Sequence, residues 1–160
     1  MGEAGAFNDM WVELVDGELE RMPPPGNSHA ARQADVVISL GSVIAKALIR
    51  AEVGVDLGDE TALSCDAAVL RAPVEGNGLL QPVDVGLVVE IAESTRDRDM
   101  GMKRRRYAAA GIPLYWVVDG ERGVVHIYDR PEGDDYMGVA VVRFGEPLAV
   151  PGTDATIVLE

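Results

Sequence analysis

The chain has 160 residues, of which 48% are hydrophobic and one is a cysteine, Cys65. This length lets one domain, over residues 1–160, bury a core without disulfides, and no apolar run reaches the roughly 20 residues of a membrane-spanning helix. The formal charge of -13, from 14 basic and 27 acidic residues, excludes nonspecific attraction to nucleic acid by net charge, and the lone cysteine favours a reducing cytoplasm.

The first 50 residues predict a hairpin followed by a long helix. Residues 11–22, WVELVDGELERM, contain an Asp-Gly pair between alternating apolar flanks, which is a strong hairpin signal. The PPPGNS segment then interrupts regular structure and offers Ser28 or Asn27 as the N-cap of a helix near 29–50, where apolar residues recur at helical spacing.

Two strands that each contain one acidic residue follow. The segments VGVDLG and ALSCDAAVL flank GDET and predict a second hairpin, with Asp66 inside its second strand. Residues 83–92, VDVGLVVEIA, form a nearly continuous apolar run that is typical of a central strand, and Glu90 lies near its end.

The next segment predicts a strand-helix-strand unit. Ser94 and Asp97 have the spacing of a capping signal for a helix over 95–110, and LYWVVD at 114–119 supplies a buried strand, so the two flanking strands should be parallel. Further short strands are expected in VVHIYD, GVAVVRF and ATIVLE. The order indicates an α/β or α+β fold, with a mixed sheet, two main helices and additional β-hairpins.

Asp66 and Glu90 are unexpected in apolar strands, because burying an unpaired carboxylate costs several kcal/mol. A divalent cation would compensate both, since Mg²⁺ accepts one or two carboxylates together with water and phosphate oxygens. Lys103, about two turns into the following helix, could reach back to the same end of the sheet. A structural role, in which Asp66 accepts nearby backbone amides, is the alternative.

Four segments resemble the Uma2 family of restriction-endonuclease-like proteins, a branch of the PD-(D/E)XK nuclease superfamily. They are WVELVDGELERMPPPGNSHAARQADVV, LSCDAAVL, VVEIAESTRDRDMGMKRRRYAAAGIPLYWVVD and PGTDATIVL. The third is the most specific, because Glu90, Asp99, Lys103 and Tyr107 stand in the order and spacing of the family. The resemblance covers nearly the whole chain and implies a single restriction-endonuclease-like domain.

The resemblance implies a Mg²⁺- or Mn²⁺-dependent endonuclease that hydrolyses DNA. It places metal ligation on Asp66 and Glu90, catalytic assistance to the attacking water on Lys103, and secondary roles on Glu18 and His29. The sequence departs from the parent pattern twice. Cys65 precedes Asp66 where the pattern has proline, and Ala92 occupies the usual lysine position, so activity would depend on Lys103 replacing that lysine in space.

A basic cluster within the predicted helix is the candidate nucleic-acid-binding surface. Six basic and two acidic residues occur between residues 96 and 106, and the candidate contacts are Arg96, Arg98, Arg104 and Arg105. A solvated helix face is the alternative interpretation. Lys103 differs from these arginines because it shares a helix face with Tyr107, four residues later.

Two other functions remain open at this level. The chain could be a nuclease fold that only binds or oligomerises without catalysis, or a hydrolase of RNA or small phosphorylated molecules. An apolar β-rich tail after residue 124 also makes a homodimer plausible, and two symmetric sites would suit double-strand cleavage.

Overall fold

The computed structural model describes residues 12–93 and 96–160, which contain ten strands and two main helices. The strands are β1 (Val12–Val15), β2 (Glu18–Arg21), β3 (Ile49–Gly58), β4 (Thr61–Leu70), β5 (Val85–Ala92), β6 (Leu114–Asp119), β7 (Val124–Glu132), β8 (Asp135–Arg143), β9 (Leu148–Ala149) and β10 (Thr156–Ile157). Helix α1 spans Asn27–Gly41, and helix α2 consists of three consecutive segments, Arg96–Arg98, Asp99–Lys103 and Arg104–Ala109.

Eight of the strands form one sheet in the order β2-β1-β4-β5-β6-β7-β8, with β3 also paired to β4. The β5–β6 pair is parallel, as the strand-helix-strand pattern predicted, and the other strand pairs are antiparallel. A separate ribbon joins β9 to β10. The mixed sheet with two main helices and added hairpins confirms the expected fold class.

Each face of the sheet buries one apolar cluster. The cluster on the α1 side includes Val36, Leu40 and Trp116. The cluster on the α2 side is rich in tyrosine, and Tyr107 and Tyr115 are both fully buried within it. The sheet is therefore covered on both faces, which explains why β5 and β6 are nearly continuous apolar runs.

The first helix is shorter than the predicted range of 29–50. It ends at Gly41, and β3 already begins at Ile49, which pairs with Val69. The spacing of apolar residues does not distinguish the end of α1 from the start of β3. The apolar residues between 44 and 49 fit a helical period, although they lie in a turn and at the start of a strand. The N-cap is Gly26, in an extended conformation, rather than Ser28 or Asn27.

The second helix confirms the prediction over residues 96–109, but its middle segment, Asp99–Lys103, is a π-helix. The Tyr115 hydroxyl donates a 2.7 Å hydrogen bond to the Asp99 carbonyl within this segment. A π-turn inserts an extra residue into the helix and is frequent at functional sites. The capping signal at Ser94 lies outside the described residues.

No helix within the described ranges is long and apolar enough to cross a membrane.

We expect Leu40→Ala to lower the free energy of unfolding by about 2–5 kcal/mol, because Leu40 is completely buried between α1 and the sheet. Ile38→Ala is the matched control on the same helix, since Ile38 is 73% exposed and its truncation should change stability by less than about 0.5 kcal/mol. Urea unfolding followed by circular dichroism measures both. Equal losses would show that α1 does not pack as described.

Candidate active site

The two predicted strand carboxylates line one cavity, next to the point where the β4–β5 ladder ends. The ladder between these strands runs to the pair Ala67 and Val89, and the next step would place Asp66 opposite Glu90. At that step the Asp66 carboxylate replaces a backbone partner, because its Oδ2 accepts the Ile91 amide at 2.6 Å. The Asp66 side chain therefore lies between the two strands. Its contact with the Ile91 amide is the backbone contact expected if Asp66 has a structural role.

Lys103 lies at the centre of a polar cluster in the same cavity. Its ammonium lies 3.2 Å from the Glu90 Oε1, 3.2 Å from the Glu13 Oε2 and 3.1 Å from the Ser64 carbonyl, with Asp99 at 4.0 Å. The contacts with Ser64 and Glu90 are hydrogen bonds, and those with Glu13 and Asp99 are ion-pair contacts. The predicted approach of the helix lysine to the strand carboxylate is therefore observed, at a side chain that is only 6% exposed.

Glu90 is a buried carboxyl group whose surroundings disfavour its charged form. Burial raises its pKa well above the ordinary value of 4.5, the positive charge of Lys103 opposes that shift, and the nearby charges of Asp66 and Asp99 add to it. Glu90 Oε1 also accepts a 2.9 Å hydrogen bond from the Tyr107 hydroxyl. Burial disfavours the charged form of Lys103, but the surrounding carboxylates outweigh it and raise its pKa. The lysine is thus a fixed cation amid an excess of carboxylates.

Glu13 belongs to this cluster although the sequence arguments passed over it. It lies on β1, is 4% exposed, and its Oε2 accepts the Ser64 amide at 2.9 Å. Its signal was a charged residue between Val12 and Leu14, the same kind of signal that identified Glu90. The candidate Glu18 instead lies exposed on β2, and it is not among the residues that line the cavity.

His29 contacts the other carboxylate from the first turn of α1. Its Nε2 lies 3.3 Å from the Asp66 Oδ1, and this hydrogen bond raises the histidine pKa despite partial burial. Its Nδ1 is buried with no hydrogen-bond partner in the described part of the chain. The resemblance-based expectation that His29 lies near the site agrees with this position.

These groups line a cavity of about 260 Å³ between α1, α2 and the strands β1, β3, β4 and β5. Its acidic lining residues are Glu13, Glu52, Asp66, Glu90, Glu93 and Asp99, and its basic ones are His29, Arg98 and Lys103. Among residues 12–93 and 96–160, no three acidic, histidine or cysteine side chains converge as a preformed metal site. The cavity is therefore acidic overall and contains one buried ammonium, that of Lys103.

Two of the predicted nucleic-acid contacts are already engaged by acidic groups. Arg98 lies 3.0 Å from Glu13 and 2.7 Å from Glu20. Arg104 lies 3.2 Å from Asp135 and over the ring of a buried tyrosine. Arg105 is exposed, and the side chain of Arg96 lies outside the described residues. The cluster is thus a set of ion pairs more than a continuous cationic surface.

The fold and the carboxylate-lysine cavity together define the class of restriction-endonuclease-like proteins. The chain belongs to the Uma2 family, described as "Putative restriction endonuclease", whose model matches residues 6–158. Its fold is similar to the crystal structure of a "putative nuclease belonging to DUF820" from Anabaena variabilis, with a TM-score of 0.64 and 24% identity over 88% of this chain and 81% of that chain. No curated protein matches the sequence.

We expect Glu90→Gln to raise the free energy of unfolding of the metal-free protein by on the order of 1 kcal/mol at pH 8. Because folding raises the pKa of Glu90 above 4.5, the folded state retains a proton that the unfolded state releases, so wild-type stability falls as pH rises above that value. Glutamine removes this loss, and the advantage of the variant should grow from about pH 5 to about pH 8.

Urea unfolding in EDTA across this pH range measures the difference. Glu75→Gln makes the same charge change at an exposed loop residue and should show little pH-dependent gain. A Glu90→Gln protein less stable than the wild type at pH 8 would contradict the charge balance described for the cluster.

Proposed function

We propose that this chain is a divalent-metal-dependent endonuclease that hydrolyses DNA phosphodiester bonds. The observation that carries the proposal is the direct contact of Lys103 with Glu90, in a cavity that also holds Asp66. The family membership supports a nuclease, and families of this class generally use divalent metals. The assignment of residues, metal and substrate is the new element.

The donor set fits Mg²⁺ or Mn²⁺. Asp66 and Glu90 offer oxygen ligands from neighbouring strands, and Mg²⁺ needs only one or two protein carboxylates because water and phosphate oxygens complete its shell. Burial is the main cause of the raised pKa of Glu90, with a smaller contribution from neighbouring carboxylates, and a bound cation would favour the charged form. When bound, the ion would polarise the scissile phosphate and stabilise its developing charge.

The protein side chains then have separate roles in this proposal. Asp66 and Glu90 hold the ion, and Glu13 keeps Lys103 protonated and fixed. Lys103 is a donor rather than a general base, because its raised pKa keeps the ammonium charged. Its charge lies beside Glu90, where it would orient the attacking water and stabilise the phosphate in the transition state.

A hydrolase of RNA or of small phosphorylated molecules is the second candidate. The observation in its favour is that Arg98 and Arg104 are paired with acidic side chains, in a chain of net charge -13. Duplex DNA requires an extended cationic surface, whereas a single strand or a mononucleotide needs fewer phosphate contacts. A homodimer with two cavities would suit double-strand cleavage of DNA, since it would place one site on each strand, but hydrolysis at one cavity does not require it.

We expect the wild type to nick plasmid DNA in Mg²⁺ or Mn²⁺ and not in EDTA, and Asp66→Asn, Glu90→Gln and Lys103→Met to lower the rate at least about 100-fold. The exposed Glu75→Gln variant, which matches Glu90→Gln in charge, should cleave at the wild-type rate. Circular dichroism confirms that each variant is folded. Gel assays on plasmid, single-stranded RNA and mononucleotides separate the two candidates.

Cleavage of RNA or mononucleotides without cleavage of plasmid DNA would support the second candidate and contradict the first. Wild-type protein that cleaves no substrate in either metal, or full activity in all three site variants, would contradict hydrolysis at this cavity.

We further expect Glu13→Gln to reduce cleavage by about tenfold or more and Glu18→Gln to leave it within about twofold. The reason is that Glu13 contacts Lys103 at 3.2 Å, whereas Glu18 is exposed outside the cavity lining. Initial rates at saturating substrate measure both variants. The reverse order would restore the sequence-based assignment of Glu18.

A further inference from the structure

We propose that two copies of this chain associate by antiparallel pairing of β8 with β8 of the second copy, about a two-fold axis at Val139. In the described residues β8 is the last strand of the main sheet, and it pairs on one side only, with β7. An exposed edge strand presents unpaired backbone N–H and C=O groups that template another strand. The proposal does not depend on the chemistry of the cavity.

The other edges of the main sheet are protected in ways that β8 is not. β2 has only four residues and carries Glu18 and Glu20. The outer side of β3 is partly covered by Leu80, which exchanges hydrogen bonds of 2.9 and 3.0 Å with Asp56 and Gly54. By contrast, β8 has nine residues and contains neither a charge nor a proline from 136 to 142. Short strands and charged residues are common protections against edge pairing, so their absence from β8 is notable.

One face of β8 is also an exposed apolar strip. Met137, Val139 and Val141 alternate along the strand and are 53%, 63% and 55% exposed. Alternate residues of a strand project from the same face. In a chain that carries a net charge of -13, an uncharged strip of this kind is where a second equally charged copy can approach with least repulsion.

The sequence of β8 is complementary to itself in this register. With Val139 opposite its symmetry mate, Met137 faces Val141 and Asp135 faces Arg143 of the second copy. The strand runs from Asp135 to Arg143, so its midpoint is Val139 and this register pairs all nine residues. Directly opposed apolar residues and opposite charges each stabilise an antiparallel pair. A register shifted by one or two residues loses the Asp135–Arg143 pairs.

Existing contacts of Asp135 are compatible with this arrangement. Arg104 and the Tyr136 amide contact its Oδ1, at 3.2 and 2.8 Å, so a second arginine can approach through Oδ2. The self-complementary charges favour a second copy of this chain over an unrelated strand, which would have no reason to carry an arginine and an aspartate at these two positions. The two main sheets would then join into one continuous sheet.

Sedimentation equilibrium of the full chain tests the association. We expect a dimer for the wild type, and for Val139→Lys a dissociation constant at least about tenfold higher, because two ammonium groups would face each other across the axis. Ile38→Lys is the matched control on an exposed apolar residue of α1, and it should remain dimeric. Circular dichroism verifies that both variants are folded.

Charge reversal tests the register. Arg143→Asp should weaken the dimer by placing two carboxylates together, and Asp135→Arg combined with Arg143→Asp should restore it. Cysteine at the axis gives an independent readout, because opposed Cβ atoms lie about 4.5–5.5 Å apart, within reach of a short bifunctional maleimide. We expect this reagent to crosslink Val139→Cys as a dimer, while Val83→Cys, at a residue that is 75% exposed, should not be crosslinked.

A monomeric wild type at the highest soluble concentration, a Val139→Lys variant that remains fully dimeric, or a Val139→Cys variant that does not crosslink would each overturn the proposed interface. The native Cys65 does not interfere, since it is buried. Because none of these measurements uses nuclease activity as the readout, failure of the interface leaves the proposed function standing, and the converse also holds.

Discussion

The structure depends on the balance of charge around one buried ammonium. Lys103 is the positive partner of Glu13 and Glu90, and Asp99 lies within 4.0 Å as well. Arg98 shares Glu13 with this lysine, and buried charges of this kind are costly unless they are paired. β1, β5 and α2 each contribute to this contact set, so the cluster ties together segments that are distant in sequence. In the proposed function, a bound cation would lower the cost of burying the charged Glu90 carboxylate.

Local irregularities position these groups. The ladder between β4 and β5 stops just before Asp66, and the aspartate side chain takes over as the acceptor of the next amide. In α2, the π-segment contains both Asp99 and Lys103, and the buried Tyr115 holds its first carbonyl. Regular strands and a regular α-helix would direct these side chains elsewhere. Such departures from regular geometry are common where a protein builds a site.

Much of the fold and part of the cluster follow from the sequence. The parallel β5–β6 pair, the helix between its strands and the approach of Lys103 to the end of Glu90's strand were predictable from local periodicity and helix spacing. The shared helix face of Lys103 and Tyr107 was also predicted, but the hydrogen bond from Tyr107 to Glu90 was not. Glu13 could not be placed, since its contact with Lys103 spans 90 residues and depends on how β1 joins the sheet. The end of α1 was missed because an apolar turn and strand imitate a helical period. The pairing of Arg98 and Arg104 with acids likewise required the three-dimensional arrangement.

The hydrogen bond from the Ile91 amide gives Asp66 a structural role, which is separate from any chemical role. Its carboxylate links β4 to β5 at the point where the pairing between their backbones ends. Removing the whole side chain would leave a buried amide without an acceptor and loosen the wall of the cavity, which an asparagine would still support through its carbonyl oxygen. In the proposed function, residue 66 therefore has a structural role and a chemical role. Loss of activity in a truncated variant would not distinguish between them.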